Sequence, residues 1–233
     1  MQQFFINEKL EVGKRVSLDK DILYHLKKVL RKNDGWQFRL VDSNAQIYLV
    51  ELMNNDAITI ENLNENNELD VKITVILALI KNDKFELSLQ KLTELGVYRI
   101  VPFEANRSVV KASGNNKIDR YRKIVKEACE QSHRNIIPEV TDFITVKDVN
   151  KFMSRHNYIA YEKENSEKNS IETDDSVTIV IGPEGGFDPK EIETFMSMGF
   201  ESISLGKRIL RAETASIFAT SLIVSKCLWK HMQ

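Results

Sequence analysis

Val177-Thr178-Ile179-Val180-Ile181 is an unbroken β-rich apolar run, and it ends on Gly182-Pro183-Glu184-Gly185-Gly186. A strand without polar alternation must be covered on both faces, which implies a parallel sheet with helices on either side. The loop after it is equally restrictive. Pro183 fixes its own φ and removes a donor, and three glycines let backbone approach a ligand more closely than any side-chained residue could. Asp188-Pro189-Lys190-Glu191 then supplies an N-cap acid, a proline at the first helical position and a glutamate at the capping-box position. The helix predicted from there runs to about Met198 and stops at Gly199. A short strand over residues 202–205 breaks at Gly206, and Lys207-Arg208-Ile209-Leu210-Arg211-Ala212-Glu213-Thr214 leads into a last helix. From Ala215 to Val224 that helix is small or apolar nearly all round, so it needs cover on more than one side.

Upstream, residues 71–80 read as an apolar strand, Asp83 as the cap of a helix closed by Gly96, and residues 98–103 as a second strand. This βαβ unit makes the second part of the chain an α/β domain. Further helices are expected after Asn115 or Asn116 and over 145–155, and a strand over 158–161. Residues 1–69 have another rhythm: β-rich runs at 4–6, 36–40, 46–52 and 57–62 are separated by Asp/Asn turns, with one helix capped by Ser17 or Asp19. They predict a partial barrel or roll. The polar stretch 62–70 is the linker, giving domains at 1–69 and 70–233.

Several chemistries lack their residues. There is no G-x-x-x-x-G-K-[ST], no G-x-G-x-x-G after the domain's first strand and no G-x-S-x-G, and His25, His133, His156 and His231 show no triad spacing. Cys129 and Cys227 stand alone without a second Cys/His pair, which speaks against zinc or another metal and for a reducing compartment. No apolar run approaches the roughly 18 residues of a membrane span, and the N-terminus has no basic-then-apolar leader. A cytoplasmic protein with no membrane partner is expected. The net charge of −1 argues against indiscriminate coating of nucleic acid. Yet Lys27, Lys28 and Arg31, and again Arg107, Lys111 and Arg134, fall in basic clusters with few compensating acids, while residues 162–175 are strongly acidic. The clusters fit contacts to RNA backbone; solvated helix faces would account for the charge equally well.

IGPEGGF followed by LGKRILRAETA resembles the paired cofactor loops of the SPOUT class of S-adenosylmethionine-dependent methyltransferases, specifically the RsmE-type uridine N3-methyltransferases of small-subunit (16S) ribosomal RNA. Also similar are His25-Leu26-x-x-Val29-Leu30-Arg31, Lys91-x-x-Glu94-Leu95-Gly96, Arg107-Ser108-Val109 and Glu127-Ala128-x-Glu130-Gln131-Ser132-x-Arg134, in order over nearly the whole chain. One departure is Gln2-Gln3, where that family usually carries an arginine before the first Phe-Phe. The resemblance implies an N-terminal PUA-like RNA-binding β-barrel, a C-terminal trefoil-knotted domain, a homodimer, and S-adenosylmethionine held by Gly182, Pro183, Glu184, Gly185, Gly186, Leu205, Gly206, Arg208, Ile209 and Leu210. A SPOUT enzyme with another RNA target, or a non-catalytic RNA-binding or ribosome assembly protein on the same fold, are the other readings.

Uracil N3 carries a proton at neutral pH. Methylating it requires that proton to leave and the charge developing on O2 and O4 to be stabilised, so a base and a cation are wanted. Arg211 is the candidate cation and Glu184 the candidate base; Arg208, Glu213, Glu94 and Gln131 are further candidates.

Overall fold

The computed structural model describes residues 1–112, 115–161 and 171–230; His231 and most of the acidic stretch 162–175 lie outside them. The chain forms two compact units, Met1–Glu68 with Cys129–Ile136, and Leu69–Ala128 with Ile137–Gln233.

The first unit is a five-stranded sheet in the order β1 (Gln3–Phe5), β3 (Gln37–Val41), β4 (Ile47–Met53), β5 (Asp56–Asn62), β2 (Arg15–Ser17). The pairing is antiparallel except for β1 on β3. Short side chains make the turns: Asp42 accepts from Asn44 N and Gln46 N at 2.8 and 2.9 Å, and Asn54 takes the left-handed conformation at φ 56°. Phe4, Leu26, Phe38, Leu40, Val50 and Leu52 form the core of this β half-barrel. Asp19 caps α1 (Lys20–Tyr24), its carboxylate accepting from Ile22 N at 2.8 Å. The chain then widens into a π-helical turn, His25–Val29, which the apolar periodicity did not indicate. β2 was also not foreseen; its single buried residue, Val16, leaves no periodic pattern.

The segment Cys129–Ile136, distant in sequence, closes this unit. Arg134 is only 3% exposed and ion-paired to Glu68. Glu68 Oε1 also accepts from Asn135 N at 2.8 Å and Ile136 N at 3.0 Å. The Gln3 amide donates to Arg134 O at 2.8 Å. Arg134 is therefore not a surface cation meeting phosphates, as its place in a basic cluster suggested. The residue that neutralises it lies 66 positions upstream. Gln3, the departure from the family's pattern, is fully buried and supports this closure.

The second unit is a six-stranded, all-parallel sheet in the order β11 (Glu201–Ile203), β9 (His156–Ala160), β10 (Ser176–Ile181), β6 (Lys72–Ala78), β7 (Arg99–Phe103), β8 (Glu139–Val140). Alternate residues feed two cores. Ile73, Val75, Leu77, Val177, Ile179 and Ile181 pack with α2 (Asn82–Glu94) and α5 (Ala212–Lys230) on one face. Ile76, Ala78 and Val180 pack with Phe195 of α4 (Pro189–Ser197) on the other. The long helix α3 (Asn115–Ser132) contributes Ile118, Tyr121 and Val125 to the first face. In place of the helix expected over 145–155 there is a 3₁₀ turn, Val146–Phe152, closed by a Thr145–Asp148 capping box. The helix α2 starts from Lys81 without a side-chain cap, Asp83 lying in its first turn. Among the described residues no helix is long and apolar enough to cross a membrane.

Candidate functional site

β10 is the geometric centre of the second unit, with β9 on one side and β6 on the other. From β6 the chain moves to β7 and β8; after β10 it jumps past β9 to the edge strand β11. At such a reversal the loops leaving the carboxyl ends of neighbouring strands part and leave a crevice. Here that crevice is a cavity of about 300 Å³, within the size range of small-molecule sites.

Its walls come from three strand ends. Ala160 and Tyr161 leave β9, Ile181 to Phe187 leave β10, and Leu205, Gly206 and Arg208 to Arg211 lie between β11 and α5, which adds its first residue, Ala212. The structure thus brings all ten sequence-predicted cofactor residues, and Arg211, to one cavity. Three of these glycines have a steric or conformational reason. A Cβ on Gly182 would sit 2.8 Å from the ring of Phe187, which is buried against Phe195. Gly186 and Gly206 hold φ of 66° and 104°, the latter far from any region an L side chain tolerates. Gly186 N donates to Pro183 O at 2.9 Å, tightening the first loop into a turn.

Arg107 lies on this cavity too, its Nη1 donating to Gly185 O at 3.4 Å and its Nη2 lying 3.9 Å from Asp188. Charge alone grouped it with surface cations. What places it here is Glu191, a nearly fully buried acid of α4. Its Oε1 accepts from Asn106 N at 2.8 Å and its Oε2 from Asp188 N at 3.0 Å, clamping the loop after β7 to the start of α4. Sequence marked Glu191 as a capping-box residue but could not show that it holds a second loop.

Electrostatically the rim is positive. Arg208 and Arg211 are exposed and make no ion pair among the described residues, and Glu184, which lines the same cavity, is exposed too. Ile209 presents an apolar side chain that is 84% exposed. Glu213 is buried in the first turn of α5. The other candidates lie elsewhere. Lys111 pairs with Glu104 at 3.4 Å, and Glu94 is bound by Lys91 at 2.8 Å. The Lys-x-x-Glu-Leu-Gly motif is a helix end, where Gly96 turns at φ 86° over the side chain of Leu69. Lys27, Lys28, Arg31 and Gln131 belong to the first unit. Cys129 is also there, its thiol pushed up to about 12 by burial, which makes it unreactive.

Two other features of the second unit were not legible in the sequence. A larger open groove of about 670 Å³ runs along β8, between Arg122, Pro138, Thr141 and Phe152, but it contains neither glycine loop. Near the amino ends of β9 and β10, His156 Nε2 lies 2.6 Å from Asp174 and Nδ1 3.7 Å from Glu172. Arg155 also holds Asp174, at 3.0 Å. Two carboxylates facing both ring nitrogens describe a pinned imidazole, and its hydrogen bond holds the Asp174 carboxyl below its ordinary value.

The family described as RNA methyltransferase domain matches residues 67–224. A ribosomal RNA small subunit methyltransferase E of Mesomycoplasma hyopneumoniae (strain 232) is 38% identical over 98% of this chain and 99% of its own length. That of Bacillus subtilis (strain 168) is 34% identical over 96% of each. The crystal structure of a ribosomal RNA small subunit methyltransferase E from Neisseria gonorrhoeae bound to S-adenosyl methionine superposes with a TM-score of 0.89 at 30% identity. It covers 97% of this chain and 98% of that one.

Proposed function

Because this chain belongs to the RNA methyltransferase domain family, we propose that it transfers the methyl group of S-adenosylmethionine to N3 of a uridine in small-subunit ribosomal RNA. The observation that carries the reading is the convergence of both glycine loops on one cavity at the carboxyl ends of β9 and β10, with an arginine-lined rim.

The residues present suit the cofactor. Gly182, Gly185, Gly186 and Gly206 line the cavity with no side chain between their backbone and a ligand, and Pro183, Leu205, Ile209 and Leu210 supply apolar surface for an adenine ring. When bound, S-adenosylmethionine supplies an electrophilic methyl group. The chain's own task is then to orient the uracil, remove the N3 proton and stabilise the charge left on O2 and O4. Glu184 is the proposed proton acceptor and Arg211 the proposed partner of the developing charge, both lining the cavity without a fixed ion pair among the described residues. Arg107 and Arg208 add positive potential where a phosphate backbone would approach.

The catalytic domain in this reading is residues 70–233 apart from Cys129–Ile136, which close the first unit, and residues 1–69 are a PUA-like RNA-binding module whose Lys27, Lys28 and Arg31 meet phosphates. The second unit in this reading is trefoil-knotted, a path with which the return of α5 onto α2, β6 and β10 after the sheet edge at β11 is compatible. Phe218 and Leu222 lie one turn apart on α5 and are 42% and 36% exposed. They support a homodimer whose two-fold interface includes this helix. Sedimentation at micromolar concentration should give twice the chain mass; a monomer would rule the dimer out.

The reaction itself is tested with purified protein, S-adenosylmethionine and small ribosomal subunits from a strain lacking the enzyme. Nucleoside mass spectrometry should detect N3-methyluridine. A methyl group on another atom or base removes the uridine assignment.

A further inference from the structure

The stretch from α1 into the π-helical turn, residues 22–29, carries an exposure pattern that packing does not explain. Its buried side is in order: Ile22 and Leu26 enter the half-barrel core, and His25 lies edge-on to Phe4 at 5.5 Å between ring centroids. Its outer side is not a polar face. Tyr24 is 64% exposed and Val29 is 54% exposed, two large apolar side chains where a solvated helix would place polar ones. On a turn whose Leu30 N reaches back five residues to His25 O at 2.9 Å, residues four and five apart lie together. Tyr24, Lys28 and Val29 have that spacing.

The backbone is distorted at the same place. Lys32 N donates to Leu26 O at 2.9 Å, and Arg31 between them takes φ 53°, a left-handed conformation uncommon for an arginine. Distortions of this kind cost free energy, persist only where the surrounding structure holds them, and cluster at functional sites. The surrounding cations differ in engagement. Lys27 Nζ donates to Asn55 at 3.1 Å and Lys32 sits 5.0 Å over the Trp36 ring. Lys28 and Arg31 are exposed and have no ion pair among the described residues. The nearby acid Asp34 is occupied in capping Asn54 N at 2.9 Å.

We infer that Tyr24 is a stacking platform for an unpaired RNA base, with Lys28 and Arg31 gripping the phosphates beside it. An exposed aromatic ring flanked by unneutralised cations is the combination that binds single-stranded nucleic acid, because every base has a π-face and every nucleotide a charge. Duplex RNA buries its bases and offers the ring nothing. The inference rests on the RNA-modifying reading above and adds which form of RNA this surface takes: a loop, bulge or strand end.

The test uses the full chain and a labelled 12-nucleotide RNA of mixed sequence, single-stranded or annealed to its complement, with binding read by anisotropy. Tyr24→Ala should weaken single-strand binding about tenfold or more and leave duplex binding unchanged, while Tyr24→Phe stays close to wild type. Lys28→Ala should weaken both and flatten the salt dependence. The inference is overturned if the wild type shows no micromolar binding to the single strand. It is equally overturned if Tyr24→Ala affects both forms alike or neither, or if Tyr24→Phe loses as much as Tyr24→Ala. Methyl transfer to small subunits is measured separately. Normal transfer with no Tyr24 dependence of binding sinks this inference alone, and a Tyr24-dependent single-strand preference without transfer sinks only the enzymatic reading.

Discussion

Arg211→Ala is expected to lower the single-turnover rate of methyl transfer by a factor on the order of 10²–10³, the usual cost of removing one donor aimed at developing charge. Cofactor affinity, measured by calorimetry, should change by no more than about threefold, because backbone and apolar groups of the two loops supply most of that contact. Arg211→Lys should recover little if the planar guanidinium spans two uracil atoms, since an ammonium is a point charge that cannot. Raising the pH should narrow the gap between the alanine variant and wild type: a uracil already deprotonated needs less help in carrying the charge. A rate within a few-fold of wild type in Arg211→Ala would remove this arginine from the mechanism. A loss confined to cofactor binding would reassign it to the donor.

The second large effect concerns the first unit. Glu68→Ala removes the carboxylate from an arginine that is only 3% exposed, and takes the acceptor from two backbone N–H groups. Removing one partner of a buried pair costs about 3–5 kcal/mol, since the remaining charge is left in low dielectric. Urea-dependent hydrogen exchange of the β3–β5 amides should report that loss. Converting both residues, as in Glu68→Leu with Arg134→Met, should be less damaging than Glu68→Ala alone. A loss below about 1 kcal/mol in Glu68→Ala would mean that the segment Cys129–Ile136 is not held by this pair.

What the sequence revealed follows from what is local. β10, its glycine loop and the Asp188-Pro189-Glu191 helix start depend on residues a few positions apart, and their structure matches the reading. Arg134 depends on Glu68, 66 positions away, so counting charges within a window gave it the wrong surroundings. Arg107 reaches the cavity through Glu191, 85 positions beyond Asn106, and its sequence neighbours carry no trace of that clamp. The short strands β2 and β8, with three and two residues, are too brief for periodicity and exist because a neighbouring strand offers hydrogen bonds. The π-helical turn is invisible for another reason: its apolar spacing, Ile22 to Leu26, is also that of an ordinary helix.

The discontinuity of the first unit also has a consequence in time. Ribosomal synthesis delivers Met1–Glu68 well before Cys129–Ile136. At roughly 5–20 residues per second, the closing segment follows Glu68 by roughly 3–14 s. For that interval the nascent half-barrel holds Glu68 without Arg134, and Gln3 without the carbonyl its amide will meet. The intervening stretch includes β6, α2 and β7, the opening βαβ of the second unit. Completion of the first unit is thus scheduled behind the start of the second, and the N-terminal fragment released by a cut after Glu68 would not be the same folding unit.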